Sequence, residues 1–213
     1  MIFQEVFSLT NLKTLLLLII GISLFFISIG YTAEIKNIAR NPSFEDGTAE
    51  WQLLVTAPAA GKWESEKEGV AGKCVHITIS AISGTDWHIE IHQSNQALKA
   101  GQKYTFNFWA KTADKRIRVV GPGIEGLGGG SDWWETFNID EKWKEFSKTW
   151  TQAAGGNATI HFGLGQSKDD VWLDHIRLYE GDYQKEDLEQ YKEKQSIELK
   201  DKLATIWSNL KIQ

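Results

Sequence analysis

The sequence predicts an all-β fold, a jelly-roll β-sandwich, with an N-terminal signal or anchor helix and a C-terminal helix. Short runs with period-two alternation of apolar and polar residues extend from Asn37 to Tyr179, separated by clusters of Gly, Asn and Asp. No long helical period interrupts this region, whereas both ends of the chain differ from it in composition. About 145 residues remain between the two ends, which is the size of one domain.

The clearest strands are Cys74–Ser80 and Tyr104–Lys111, because every second residue in each is apolar and would face the core. Further strands are predicted over Trp87–Gln93, Arg116–Gly121, Lys144–Thr151, Thr159–Gly165 and Val171–Glu180. The glycine-rich stretch from Gly121 to Gly130 is interpreted as a flexible loop that ends in Trp133 and Trp134.

The N-terminal region is dominated by an almost unbroken apolar segment, Leu15 to Ile29, which follows Lys13. This pattern predicts a signal peptide over residues 1–33. A retained membrane anchor through residues 15–31 stays open, because the segment is close to the ~17 residues that a membrane span needs. Both interpretations place the rest of the chain outside the cytoplasm, either secreted or in the cell envelope. The single cysteine, Cys74, excludes an internal disulfide and is expected to be buried.

The C-terminal region, residues 182–213, is rich in Gln, Glu, Lys and Leu and is predicted to be a charged helix. One face of it carries an apolar stripe at i, i+3, i+4 and i+7: Leu203, Ile206, Trp207 and Leu210. This stripe either packs back on the jelly roll or docks a partner protein. The domain between the two ends is predicted to comprise residues 34–181.

The composition narrows the class of partner. The net charge is −5, with Lys and Arg scattered among Asp and Glu, so the sequence offers no basic face for nucleic acid. The ten tryptophans are several times what such a chain usually carries, and aromatic planes are surfaces on which sugar rings stack. Even with half of them in the core, the composition favours a polysaccharide or oligosaccharide partner.

Three stretches in order along the chain carry a family resemblance: Asn41–Gly47 followed by Trp51, Leu98–Lys111, and Asp169–Asp174. They resemble the opening, central and closing strands of carbohydrate-binding modules of families 4, 9, 16 and 22. The resemblance implies a galactose-binding-domain-like jelly roll. It also implies non-catalytic binding of a polysaccharide, such as a xylan or β-glucan chain, in a concave cleft lined by aromatic residues.

Two carboxylates near the ends of the predicted domain, Glu45 and Asp174, are embedded between apolar residues. Burying them is costly unless they are paired or bound to a metal, and Ca²⁺ takes such oxygen ligands. The resemblance implies a structural Ca²⁺ held by Glu45, Asp174, the carbonyl of Ser43, and oxygen atoms near Glu68 to Lys73. Capping of turns or pairing with a lysine is the alternative.

The predicted strand Trp87–Gln93 carries the main candidate sugar site. Alternation leaves His88, Glu90 and His92 in a row on the exposed face, with Trp87 at the start of the strand. Aromatic planes beside hydrogen-bonding groups suit a polyol. The resemblance implies that Trp87 and Glu90 line the cleft, and His161 is similar to a cleft histidine of the family.

Other candidates for sugar contact are Trp109, Arg116, Arg118, Trp133, Trp134 and Gln166. Arg116 and Arg118 alternate with Ile117 and Val119, which predicts that both arginines face outward.

Three alternatives stay open. The tryptophan loop could meet a protein in a cell-surface adhesion or assembly domain. A jelly-roll lyase or hydrolase could use Glu90 with neighbouring histidines and arginines, although a hydrolase needs two opposed carboxylates and the predicted cleft offers one. His88 and His92 could also hold a transition metal. The sequence nevertheless favours a binding protein over an enzyme.

Overall fold

The computed structural model describes residues 35–128 and 132–210. The predicted signal or anchor segment, Leu15 to Ile29, lies outside these ranges. Within them, no helix is both long enough and apolar enough to cross a membrane.

The described residues form eleven strands and one α-helix. The strands are β1 Gln52–Val55, β2 Ala60–Glu66, β3 Cys74–Ala81, β4 Ile89–Leu98, β5 Lys103–Thr112, β6 Arg118–Glu125, β7 Trp133–Trp134, β8 Phe137–Ile139, β9 Lys144–Thr151, β10 Gly156–Gly163 and β11 Val171–Glu180. The helix α1 is Leu188–Leu210, and a 3₁₀ turn over Asp86–His88 leads into β4.

The strands form two antiparallel sheets, which confirms the predicted jelly-roll β-sandwich. The first sheet has the order β1-β4-β10-β6-β7, with β8 also paired to β6. The second sheet has the order β2-β3-β11-β5-β9. Neighbours in each sheet are mostly distant in sequence, so residues far apart along the chain meet on one face.

The core lies between the sheets and is built from the alternation that the sequence shows. On β3, Val75, Ile77 and Ile79 are buried, and on β5, in the same sheet, Tyr104, Phe106 and Phe108 are buried in the same core. Opposite β5, the Phe162 ring of β10 meets the Phe108 ring edge to face, with centroids 5.0 Å apart. The strands β3, β5 and β10 therefore each have one face in the core, and the opposite face of each strand is free for function.

The first half of the glycine-rich stretch is not part of the flexible loop predicted from its composition. Gly121–Glu125 belongs to β6, a strand inside the first sheet. Gly121 and Gly123 pair with Gly163 and His161 of β10. The glycines occupy outward positions of this strand, where they leave space above the sheet instead of supplying flexibility. Residues 129–131 lie outside the description.

The helix begins at Leu188, six residues later than predicted, because Asp187 caps it. Its Oδ1 accepts hydrogen bonds from the backbone N–H groups of Glu189 and Gln190, both at 3.1 Å. In the predicted stripe, Leu203, Ile206 and Trp207 are exposed, Trp207 by 63%. These residues do not pack against the jelly roll, and the Leu210 side chain lies outside the description.

Candidate functional site

The outer face of the first sheet carries a row of residues from five strands. Gln52 opposes His92, His92 opposes His161, His161 opposes Gly123, and Gly123 opposes Trp134. Directly opposed residues in a sheet share a face. Because Ile91, Ile160 and Phe162 point into the core, this row points away from it.

Gly123 makes room for an aromatic ring in this row. A Cβ atom at position 123 would lie 2.5 Å from Cδ2 of Trp134, so the indole rests directly on the glycine backbone. The Trp134 ring centroid is 5.5 Å from that of His161, and Trp134 is 45% exposed. The glycine therefore allows the indole to lie along the sheet with one side open to solvent.

A second row runs beside the first one. Glu90 opposes Leu54 on one side and Gly163 on the other, and Gly163 opposes Gly121. Neither glycine has a side chain above the sheet. The centre of the outer face is therefore low, while Glu90 and Trp134 rise beside it.

The 3₁₀ turn Asp86–His88 forms part of the rim. Trp87 in this turn is 53% exposed. Together, Asp86, Trp87, Glu90, Glu125 and Trp134 line a groove of about 390 Å³. A second cavity of about 570 Å³ shares Asp86, so the two adjoin. It is lined by Gly84, Thr85, Asp86, Val119, Thr136, Gly165 and Gln166.

Two of the groove carboxylates, Glu90 and Glu125, belong to a connected set of imidazoles and carboxylates on the outer face. His161 Nδ1 lies 3.1 Å from Glu90 Oε2, and its Nε2 lies 2.9 Å from Glu125 Oε1. His92 Nε2 lies 2.9 Å from Gln52 Oε1. Burial lowers the pKa of His92, and the nearby Glu90 charge opposes this effect only in part. Burial therefore favours the neutral form of the His92 imidazole.

The groove combines two kinds of surface that a sugar uses. Two exposed indole rings can stack on the C–H face of a pyranose ring. Carboxylates of Asp86, Glu90 and Glu125 can accept hydrogen bonds from its hydroxyl groups. Small polar ligands are usually held by this combination of aromatic walls and a few placed polar groups.

The structure brings five of the predicted sugar-site residues together around this groove: Trp87, Glu90, His92, Trp134 and His161. Gln166 lines the adjoining cavity, where its Nε2 lies 3.4 Å from Asp86 Oδ2. His88 is not in the predicted row, because β4 begins only at Ile89. Its ring instead meets Trp87 edge to face, with centroids 4.3 Å apart, and buttresses that tryptophan.

The prediction that Arg118 faces outward is wrong. Arg118 is buried, and its guanidinium donates hydrogen bonds to the carbonyls of Val119, Leu164 and Asp169. Burial lowers its pKa to about 10. Ile117 is the exposed residue, by 75%, since the strand starts at Arg118. Arg118 therefore ties β6 to the segment after β10.

Arg116 is exposed, but it lies before β6, not on it, and its Nε is 3.5 Å from Asp169 Oδ1. Arg116 is therefore absent from the set of residues that line the groove.

Two predicted tryptophans lie away from the groove. Trp109 is on β5 in the second sheet, on the face opposite its core residues Phe108 and Ala110. Trp133 packs against the core, with its ring 5.1 Å from that of Trp150. Trp133 and Trp134 are consecutive strand residues, so their side chains must point to opposite faces.

Sequence reasoning did not select Asp86 and Glu125 as site residues. Glu125 follows Gly121 and Gly123 with the same period of two, and this was the available signal for its outward direction. It went unused because the stretch was interpreted as a loop. Asp86 lies in a short 3₁₀ turn, and an alternating pattern of apolar and polar residues gives no information about the direction of a side chain in such a turn.

Glu45 and Asp174, the two carboxylates predicted to hold Ca²⁺, both contact the loop between β2 and β3. Asp174 is fully buried, and its carboxylate accepts backbone hydrogen bonds from Val70 at 2.8 Å and His175 at 2.7 Å. Glu45 Oε1 accepts one from the Lys73 N–H at 2.8 Å. Burial raises the pKa of Asp174 to about 7, despite these hydrogen bonds.

The loop between β2 and β3 wraps both carboxylates. A Cβ at Gly69 would lie 2.6 Å from Asp174 Oδ2, and one at Gly72 would lie 2.2 Å from Glu45 Oε1. This close cradle of oxygen atoms fits a hard cation such as Ca²⁺. Ser43 is buried, whereas the Glu68 side chain is exposed, so the loop would contribute through its backbone.

The two-sheet sandwich with an open outer face is the architecture of a carbohydrate-binding module. The family model described as Carbohydrate binding domain, CBM_4_9, matches residues 36–168. The chain belongs to this family, whose members are non-catalytic binding domains.

Solved structures show the same fold. A CBM4 structure matches with a TM-score of 0.58 at 21% identity, covering 67% of this chain and 99% of that one. The CBM22-1 xylan-binding domain of Paenibacillus barcinonensis Xyn10C matches with a TM-score of 0.53 at 14% identity, covering 70% and 97%. The CBM22-1-GH10 modules of Clostridium thermocellum Xyn10B, complexed with xylohexaose, match with a TM-score of 0.53 at 16% identity, covering 71% and 29%. No curated protein sequence matches the chain.

Proposed function

We propose that this protein binds a single polysaccharide chain, of xylan or β-glucan type, in the groove on the first sheet. The observation that carries the proposal is the convergence of two exposed indoles, Trp87 and Trp134, with Glu90 and Glu125 around one groove. The leader predicted over residues 1–33 would place this binding outside the cytoplasm. A related domain of known structure, CBM22-1 of Xyn10C, is described as xylan-binding.

The shape of the groove favours a chain over a flat crystalline surface. Gly121 and Gly163 leave a low strip on the outer face beside the raised Glu90 side chain, and the adjoining cavity beyond Asp86 extends the open space. A linear chain could lie along this depression and meet both indoles. Binding should be modest in strength, because each hydrogen bond to a hydroxyl group replaces one to water.

Isothermal titration of the full chain tests the proposal. Soluble xylan, mixed-linkage β-glucan, galactan and laminarin serve as ligands, beside a Trp87→Ala variant. The proposal expects binding to xylan or a β-glucan that the variant loses. Silence across the panel, or binding that Trp87→Ala leaves unchanged, would contradict it and would favour a protein partner.

We also propose that Glu45 and Asp174 hold a structural Ca²⁺ together with backbone oxygen atoms near Ser43 and of the loop from Glu68 to Lys73. The support is the fully buried Asp174 carboxylate and the loop glycines that admit both carboxylates. A divalent cation would neutralise the two charges and join the first and last parts of the domain.

Thermal unfolding of metal-free protein, with and without added Ca²⁺, checks this site. A ligand present at 100 times its Kd stabilises the folded state by about 2.7 kcal/mol. For a domain of this size, that corresponds to roughly 5–10 °C in Tm. Asp174→Asn and Glu45→Gln should each abolish the shift, while Glu90→Gln, a matched change in the groove, should keep it. No shift in the unmodified protein would refute the calcium proposal.

A further inference from the structure

A cluster of metal-ligating side chains lies on the outer face of the first sheet, and one of its members, Glu90, also lines the groove. Glu90, His92 and His161 each offer one ligand atom, and these atoms lie within 4.8 Å of one another. The sequence suggested His88 as the partner of His92 in a metal site. In the structure, the antiparallel pairing of β4 and β10 places His161 directly opposite His92. The third ligand therefore comes from a distant part of the chain.

The two imidazoles present the same ring atom to Glu90. Nδ1 of His161 lies 3.1 Å from Glu90 Oε2, and Nδ1 of His92 lies 3.6 Å from Glu90 Oε1. On their other sides, His161 Nε2 faces Glu125 and His92 Nε2 faces Gln52, each at 2.9 Å. An oxygen acceptor behind each imidazole is the usual arrangement that fixes the ring of a metal-ligating histidine.

If both imidazoles of this cluster are neutral, its hydrogen bonds cannot all be satisfied by the protein alone. A neutral imidazole carries a single N–H group, so one donated to Glu125 leaves His161 Nδ1 as a lone pair facing the Glu90 carboxylate. His92 Nδ1 is buried, and among the described residues it has no hydrogen-bond partner. Two nitrogen lone pairs and a carboxylate that point at one another repel unless a cation lies between them.

We propose that Glu90, His92 and His161 bind a divalent transition-metal ion, with Zn²⁺ as the best-suited ion. Two imidazole nitrogens and one carboxylate form a donor set that binds Zn²⁺ in preference to Ca²⁺ or Mg²⁺. Three protein ligands leave at least one coordination position open, and Glu90 itself lines the groove. The metal site shares Glu90 with the proposed sugar groove, but metal binding requires no bound sugar and can be measured without one.

Isothermal titration calorimetry of the metal-free full chain with Zn²⁺ alone tests the site. The proposal expects one tight site that His161→Gln and His92→Gln each weaken. Loss of an outer partner typically costs ~10–100-fold in metal affinity, so loss of a ligand should cost at least ~100-fold. Glu125→Gln, which changes only the partner of His161, should fall in the smaller range. Circular dichroism verifies that each variant is folded.

His88→Gln is the matched control, since His88 lies in the neighbouring turn and outside the cluster. It should keep the affinity of the unmodified protein. The competing arrangement, an imidazolium of His161 bridging Glu90 and Glu125, needs no metal. Absence of Zn²⁺ binding, or a site that both His92→Gln and His161→Gln leave intact, would overturn the proposal.

Discussion

The outer faces of the two sheets contain similar residues but differ in how those residues are partnered. On the second sheet, the Trp172 ring stacks on His76, with centroids 4.1 Å apart and planes 12° from parallel. Lys111 Nζ lies 5.0 Å from the Trp172 ring and 5.3 Å from the Trp143 ring. On the first sheet, the indoles of the groove remain exposed. Aromatic rings on the second face are therefore already engaged within the protein.

Several polar groups near the second sheet are also paired with one another. Glu145 accepts hydrogen bonds from Asn107 at 2.6 Å, from Tyr183 at 2.6 Å and from Arg177 at 3.1 Å. By contrast, glycines on the first sheet leave open volume beside its carboxylates. The comparison teaches that free ring faces next to empty space mark a binding surface, and that the number of tryptophans alone does not.

The largest expected effect is a difference in the free energy of unfolding between alanine variants of two consecutive tryptophans, Trp133 and Trp134. Trp133→Ala should lower the free energy of unfolding by about 3 kcal/mol, because it removes a ring packed against Trp150 and the core. Trp134→Ala removes an exposed ring and should cost less than ~1 kcal/mol. Chemical denaturation of both variants measures the difference. Equal losses of stability would show that both rings serve the core.

A pair of variants on opposite faces tests where the ligand binds. Trp87→Ala should weaken binding of the oligosaccharide by about 2 kcal/mol, roughly 30-fold, as expected for a central aromatic contact. Trp172→Ala, on the second sheet, should leave affinity unchanged because its ring already stacks on His76. Titration of both variants against the same ligand checks this. Loss of binding in Trp172→Ala alone would reverse the comparison.

The smallest predicted effect concerns the glycines below the groove. In Gly123→Ala the new Cβ would lie 2.5 Å from Cδ2 of Trp134, so the indole must shift and affinity should fall roughly tenfold, about 1.4 kcal/mol. Gly163→Ala meets its nearest atom at 3.6 Å, an ordinary contact, and should cost less. If both variants bind as the unmodified protein does, the glycine floor has no role in recognition.

The sequence predicted those parts of the fold in which alternation is long. Val75, Ile77 and Ile79 could be assigned to the core because seven consecutive positions, Cys74–Ser80, keep one period. The strand β7 has only two residues, Trp133 and Trp134, and two residues carry no period. Their opposite directions depend on pairing with β6, which sequence alone does not display.

Two errors at the candidate site, at Arg118 and at His88, come from strand boundaries placed wrongly. Starting the strand at Arg116 made Arg118 outward, whereas β6 starts at Arg118 and buries it. The predicted strand that started at Trp87 placed His88 in the exposed row, whereas in the structure His88 is the last residue of a 3₁₀ turn and β4 begins at Ile89. Side chains alternate with a period of two, so a wrong phase sends a residue to the opposite face.

Recording the indole N–H signals of the tryptophans by two-dimensional NMR, during titration with xylohexaose and then laminarihexaose, tests the central claim most directly. The account predicts that the signals of Trp87 and Trp134 shift with one of these ligands. Those of Trp143 and Trp172 should stay in place, because their rings belong to the paired face. Shifts at Trp143 and Trp172 with none at Trp87 and Trp134 would contradict the account and move the binding surface to the second sheet.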